Sequence, residues 1–217
     1  MATQTVHLPP GLAFEGPVVE TANGGTEHEW VKYEKIKEYT NAFIIDKNGK
    51  VLLGYKKRGF GMGLWNGFGG KVDPGETPAQ AAVRELEEES GVNAPLQHCG
   101  TLFFVVEGVE TAFNISVYSA YEYSGTIVET DEMRPKWFSI QESLLPLSNP
   151  LTSVDQGEEQ REALPPIPLE QMWADDEFWM PLMFGRRKFV GRADFGADNK
   201  MRRWWFGAVP ARAPGSS

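Results

Sequence analysis

Between Ile36 and Asp46 the chain takes up a strand-like pattern of apolar and polar positions. Lys47-Asn48-Gly49 then supplies a hairpin turn into a second strand, Val51–Tyr55. A different rhythm follows. Ala79, Ala82, Val83 and Leu86 form an apolar stripe at helical spacing, able to anchor a helix to a sheet. Thr77 stands at the N-cap, Pro78 at the first helical position, Gln80 completes a capping box, and Gly91 supplies a left-handed stop. Farther on, Leu102–Val106 and Phe113–Tyr118 read as strands paired through 107–111, and Glu129–Phe138 as a polar loop entering a short strand. A second helix is expected over 170–184, beginning near Asp175-Asp176, and two last strands over Lys188–Phe195 and Met201–Ala208. This order predicts an α/β sandwich with the acidic helix packed against a mixed sheet.

Three stretches lack the rhythm. Residues 1–36 form an N-terminal extension without clear periodicity until Trp30-Val31-Lys32-Tyr33, and its first part is expected to be irregular. Residues 143–168 gather Pro146, Pro150, Pro165, Pro166 and Pro168 around a Gln/Glu-rich centre, which reads as a loop insertion. Residues 207–217 read as a Pro/Gly/Ser tail. The folded domain is therefore expected over 37–206.

Composition narrows the function. The 217 residues, 41% hydrophobic, suffice for one core of ordinary size. A net charge of −9 argues against a nucleic-acid polymer as partner, since such binding runs on Lys and Arg, but leaves a small nucleotide open. The single cysteine, Cys99, cannot form an internal disulfide and points to a reducing compartment. No apolar run is long enough to span a membrane, and the N-terminus resembles neither a secretory signal nor a mitochondrial presequence. A soluble cytoplasmic monomer is expected, with a nuclear or mitochondrial location also open.

The chemistry gathers around the first helix. Glu85, Glu88 and Glu89 fall at i, i+3 and i+4, so three carboxylates share one face. At a spacing of roughly 6 Å each pair repels by about 2–3 kcal/mol at an effective dielectric near 20. A solvated surface tolerates that, but here the carboxylates follow a glycine-dense, aromatic segment, Lys56–Gly70, that opens on Lys56-Lys57-Arg58. Clustered hard oxygens suit Mg²⁺ or Mn²⁺, which bind carboxylates, water and substrate phosphates, and the three cations suit phosphate.

Gly70, five residues, Glu76, seven residues, then Arg84-Glu85-Leu86-Glu87-Glu88-Glu89-Ser90-Gly91-Val92 resembles a complete Nudix box. That resemblance implies hydrolysis of a nucleoside diphosphate linked to another group, with metal held by the box glutamates, and the Nudix α/β/α sandwich fold. Within the superfamily, the runs Gly54–Val72, Glu129–Phe138 and Gln171–Gly191 are similar to the oxidised purine nucleoside triphosphate hydrolases, the eukaryotic MutT homologues. The closer resemblance implies substrates such as 8-oxo-dGTP and 2-hydroxy-dATP, products that are a nucleoside monophosphate and pyrophosphate, and a role in cleaning the nucleotide pool. By position it implies metal sites at the Gly69 carbonyl, Glu85, Glu88, Glu89 and Glu132, the four glutamates being the candidates for catalysis. Lys56 would approach the phosphates or sugar. Asn66, Trp173, Asp175 and Asp176 would line the base pocket, with Thr40, Phe60, Phe104 and Phe113 as its walls. Asn41 and Val106 stand where the resembled enzymes carry larger or apolar side chains, which leaves pocket shape and substrate preference open.

The residue types fit those roles. Asn66 carries both donor and acceptor, and Trp173 offers a flat face to a purine. Two adjacent aspartates in a dry pocket disfavour double ionisation, so the pair can hold a proton and both donate and accept. The competing readings are a Nudix hydrolase for a dinucleotide, a cap or ADP-ribose, and a nucleotide-binding module without catalysis. The second would be expected to show degraded box positions, and none is degraded.

Overall fold

The first hairpin closes as its turn residues dictate. Gly49 takes the left-handed conformation (φ 75°), its N–H donates to the Asp46 carbonyl, and the Asp46 carboxylate accepts from the Asn48 N–H. The structure is a computed structural model that describes residues 7–145 and 164–210. Among these residues nine strands build one mixed sheet: β1 (Val19–Gly24), β2 (Lys35–Asp46), β3 (Lys50–Lys56), β4 (Trp65–Asn66), β6 (Gln97–Val106), β7 (Thr111–Ala120), β9 (Met133–Ser139), β10 (Phe189–Phe195) and β11 (Met201–Ala208). The short strands β5 (Val92–Asn93) and β8 (Ser124–Gly125) pair with each other outside it. The order is β1-β11-β10-β6-β7-β2-β3, with β9 on the far side of β3 and β4 beside it. The β2–β7 and β6–β10 pairs are parallel and the others antiparallel. This is the mixed α/β architecture expected from the order of elements.

Helix α1 (Pro78–Ser90) has the capping box, the leading proline and the left-handed Gly91 stop read from the sequence. Its buried face is turned from the expected stripe. Ala81, Ala82, Leu86, Glu89 and Ser90 are buried, whereas Ala79 is exposed and Val83 only half-buried. The helix rolls to bring Glu89 inward, and Leu86 packs with Ile44, Leu52 and Phe68 of the sheet. Helix α2 (Asp176–Phe184) begins at the Asp175-Asp176 start read from the sequence and runs to the end of the 170–184 segment. A 3₁₀ turn over Leu169–Gln171 precedes it, separated by Met172–Asp175. It lies on the opposite face, where Trp179, Met180 and Met183 join Phe43, Leu53, Phe189 and Phe206 in the main core.

The N-terminal extension is more ordered than its composition suggests. β1 adds to the edge of the sheet beside β11, and Leu12, Val31 and Tyr33 pack on Phe103, Val105 and Ala112. By strand alternation those residues lie on the α1 face, over β6 and β7. The cover is locked by Arg192 and Asp194, both fully buried. Arg192 grips Asp194 with two parallel bonds at 2.7 and 2.9 Å, and donates to the carbonyls of Pro10 and Val31 at 2.6 and 2.7 Å. The Val31 N–H returns to Asp194 at 2.6 Å. At the other end, β11 spans Met201–Ala208, the run read from the sequence as the last strand. Of the expected insertion, 146–163 lies outside the described residues; behind it, Pro166 bridges Ser139 and Ile167 is buried.

Candidate active site

The site begins where the sheet splits. β2 and β3 pair only from Ile44 to Asp46, and the segment 65–71 fills the gap beyond. On one side it pairs with β3 through Trp65 and Asn66. On the other it bridges β2 through Ala42–Phe68 and Tyr39–Lys71. The fit is close enough to require glycine: a Cβ on Gly69 would lie 2.0 Å from the Thr40 carbonyl oxygen. The wedge opens a cavity of about 460 Å³, with polar cations and carboxylates at one end and aromatic rings at the other.

At the polar end, Lys56 Nζ sits between Glu89 (3.0 Å) and Glu132 (2.7 Å). Glu89 also accepts from the Gly69 N–H at 2.8 Å, and Arg58 reaches Glu132 at 3.0 Å. Burial pushes the Glu89 carboxyl up to about 7, against the pull of Lys56 and the Gly69 N–H. Burial would lower the Lys56 ammonium, but Glu89 and Glu132 more than reverse this and raise it. The Lys56 hydrogen bond holds Glu132 below the usual range. Arg84 gathers Glu76, Glu85 and Glu88 at 2.9, 2.8 and 3.3 Å, tying the helix to the loop before it. Burial raises Glu85, and Arg84 opposes it.

Among the described residues no three acidic or histidine side chains converge as a ready-made ligand set. Glu85 and Glu88 turn to Arg84, Glu89 and Glu132 to Lys56. The donors nonetheless fit a hard divalent cation. All are oxygens, and an ammonium already occupies a cation position between Glu89 and Glu132. Glu89, largely desolvated, needs a positive neighbour to remain ionised.

The aromatic end is walled by Phe104 and Phe113, partners across β6 and β7, with the Leu102–Ile115 pair beside them two residues along the same strands. Phe60, 64% exposed, stacks at the mouth between Phe113 (5.7 Å between ring centroids) and Trp173 (5.1 Å). Phe195 closes the back against Trp173 and Phe104. The start of α2 delivers Asp176, fully buried, whose carboxylate accepts from the Trp173 N–H at 3.1 Å. Asp175 lies behind it and accepts from the Trp179 indole at 2.9 Å. Burial pushes both carboxyls up, and the neighbouring Asp175 charge pushes Asp176 further. Five buried side-chain polar atoms lack a partner among the described residues. Three of them, on Thr40, Asn41 and Asp175, gather at or directly behind this cavity, where a bound molecule could satisfy them.

Thr40, Lys56, Phe60, Asn66, Gly69, Glu85, Glu88, Phe104, Phe113, Glu132, Trp173 and Asp176 thus line a single cavity. Asp175 and Glu89 stand one layer behind the wall. Leu102, Ile115, Met133 and Phe195 also line the cavity without having been singled out on sequence, and Asn41 and Val106, noted there for pocket shape, line it too. Strand alternation could have found two of them, Leu102 two residues before Phe104 and Ile115 two after Phe113. Nothing in the sequence pointed to Phe195, which arrives from the far strand β10.

A NUDIX domain model matches residues 35–156. An oxidised purine nucleoside triphosphate hydrolase from Danio rerio is 42% identical over 153 residues, 70% of this chain and 83% of the relative. The protein of the same name from Mus musculus is 37% identical over 158 residues, 72% and 85% of the two chains. Among solved structures, a mutator MutT protein from Bacillus halodurans superposes with a TM-score of 0.59 at 22% identity, covering 78% of this chain and 97% of that one. That last likeness concerns the fold, which is the Nudix fold. Nudix hydrolases act on small-molecule nucleotides and generally use divalent metals. Box, fold and relatives agree: the chain belongs to the Nudix hydrolase family.

Proposed function

We propose that this enzyme hydrolyses oxidised purine nucleoside triphosphates, such as 8-oxo-dGTP and 2-hydroxy-dATP, to the monophosphate and pyrophosphate with Mg²⁺. It would thereby keep damaged nucleotides from being incorporated. The observation that carries the reading is one cavity with a phosphate-type end and a base-type end, the latter holding a buried acid pair raised above the usual aspartate range. The two relatives named for this activity support it.

Lys56 and the neighbouring cations draw in the polyphosphate. Gly69, Glu85, Glu88, Glu89 and Glu132 would hold the metal, which when bound neutralises phosphate charge and lowers the pKa of water. One of the four glutamates accepts the proton of the attacking water. Phe60 and Trp173 enclose the purine between flat faces. Asn66 and the Asp175–Asp176 pair read its edge. Because the pair retains a proton near neutrality, Asp176 can donate as well as accept, which suits more than one oxidised purine. The acidic surface fits a monomer acting on free nucleotides in the cytoplasm rather than on a nucleic-acid polymer.

The test is pyrophosphate release with Mg²⁺ from 8-oxo-dGTP, 2-hydroxy-dATP, dGTP and ADP-ribose. Turnover of the oxidised nucleotides over dGTP is expected, abolished in Glu89→Gln and reduced at least tenfold in Asp176→Asn. Turnover of ADP-ribose alone, indifferent to Asp176→Asn, would refute the assignment.

A further inference from the structure

The middle of β2 carries a second carboxamide beside the one proposed to read the base, and the two are chained together. Asn41 is 9% exposed. It alternates onto the same face of β2 as Phe43, the face that lines the cavity. Its amide nitrogen donates to the Asn66 carbonyl oxygen at 2.9 Å, and the Gly67 backbone N–H donates to that same oxygen at 2.9 Å. Side-chain amides can be turned end for end, but a backbone N–H cannot. Gly67 therefore fixes the Asn66 oxygen, and that oxygen fixes the Asn41 nitrogen, since a turned Asn41 would set oxygen against oxygen. Both lone pairs of the Asn66 oxygen are then taken, so Asn66 offers the cavity its NH₂ and no acceptor.

We infer that Asn41 is a positioning residue that makes Asn66 a fixed hydrogen-bond donor, so that the pocket favours a base bearing a carbonyl or ring nitrogen opposite it over one bearing an amine. The inference rests on the purine-binding reading and assigns the two kinds of base contact different tasks. The aspartate pair adapts by moving a proton, whereas the amide discriminates because it cannot turn. The left-over Asn41 oxygen, buried and without a partner, lies against Gly67, where a Cβ would come within 2.2 Å of it. A side chain at position 67 would collide with that oxygen, so Gly67 makes room for the Asn41–Asn66 contact.

Two substitutions separate this role from mere space filling. Asn41→Leu removes the donor. Asn41→Asp keeps the shape but replaces the donor with an acceptor, which draws the Asn66 NH₂ toward it and turns the amide over. The probes are 8-oxo-dGTP, 8-oxo-dITP and 8-oxo-dATP; the first two differ at the 2-position and the last two along the 6-position edge. Relative kcat/KM among the three should shift about threefold in Asn41→Leu and at least fivefold in Asn41→Asp. An equal loss on all three in both variants would overturn the inference. A second readout needs no substrate: hydrogen exchange of the Gly67 amide, which should quicken at least tenfold in Asn41→Asp. Quickened exchange in a protein that ignores oxidised purines would uphold the locked amide and sink the substrate reading. Unchanged exchange in a protein that turns them over would do the reverse.

Discussion

Among the described residues two places bury aspartates, and they treat them in opposite ways. Asp194 disappears beneath the N-terminal cover, yet both its oxygens are met, by the Arg192 fork and the Val31 N–H. Asp175 and Asp176 disappear at the start of α2 with no cation among the described residues paired to either. One oxygen of Asp175 lacks any partner among the described residues. Burial raises the carboxyl in all three. What differs is the remedy. At Asp194 opposite charge and donors complete the account within the protein, so the aspartate holds two segments together. At the α2 pair a retained proton takes their place, leaving hydrogen-bonding capacity for something that is not part of the chain. Buried acid alone does not mark a binding site; buried acid without compensation does.

The contrast can be broken from either side, and the largest effect belongs to the compensated region. Asp194→Ala leaves the Arg192 charge buried and unpaired, and should destabilise the fold by about 3–5 kcal/mol in urea unfolding. Turnover per folded molecule should survive. The double change Arg192→Met with Asp194→Leu removes both charges and should cost markedly less than the single one. If it costs more, the pair matters for something beyond mutual compensation.

At the uncompensated region the sign should reverse. The native state keeps a proton that the unfolded chain releases near pH 4. The pair's contribution is therefore fully present below that pH, and stability is lost as pH rises through the raised native values. Asp176→Asn removes this loss. Unfolding measured at pH 4, 6 and 8 should show a variant close to its parent at pH 4 and more stable by about 1–3 kcal/mol at pH 8, while activity on oxidised purines falls. A variant less stable than its parent at pH 8 would erase the distinction between the regions. Thr77→Ala lies apart from both. It removes one side of the α1 capping box, should cost about 1 kcal/mol, and serves as the baseline for an ordinary local loss.

The same contrast explains what could be read in advance. The Thr77 cap, Gly91 stop and Asn48-Gly49 turn are local signals, and their elements stand where the sequence put them. The cavity lining supplied by Asn66, Phe104, Phe113 and Trp173 followed from a resemblance carried in long, distinctive runs. What escaped was set by contacts far apart in sequence. Arg192 and Asp194 alternate with apolar neighbours and look like the solvated face of a strand; they are buried only because residues about 160–180 positions earlier cover them. β1 gave no apolar alternation because it is a largely exposed edge strand. The roll of α1 that exposes Ala79 depends on where Glu89 has to reach. None of these is encoded within a window of a few residues.

The wedge of residues 65–71 has one more consequence. Asn66, at the base end, and Gly69, at the phosphate end, belong to the same extended stretch, pinned to β3 on one side and β2 on the other. At about 3.3 Å per residue, three steps set the two ends roughly 10 Å apart. Under the proposed function this stretch is a ruler: its length, rather than any single contact, measures the distance from base to phosphate. A one-residue insertion between Asn66 and Gly69 would keep every functional group and spoil the gauge.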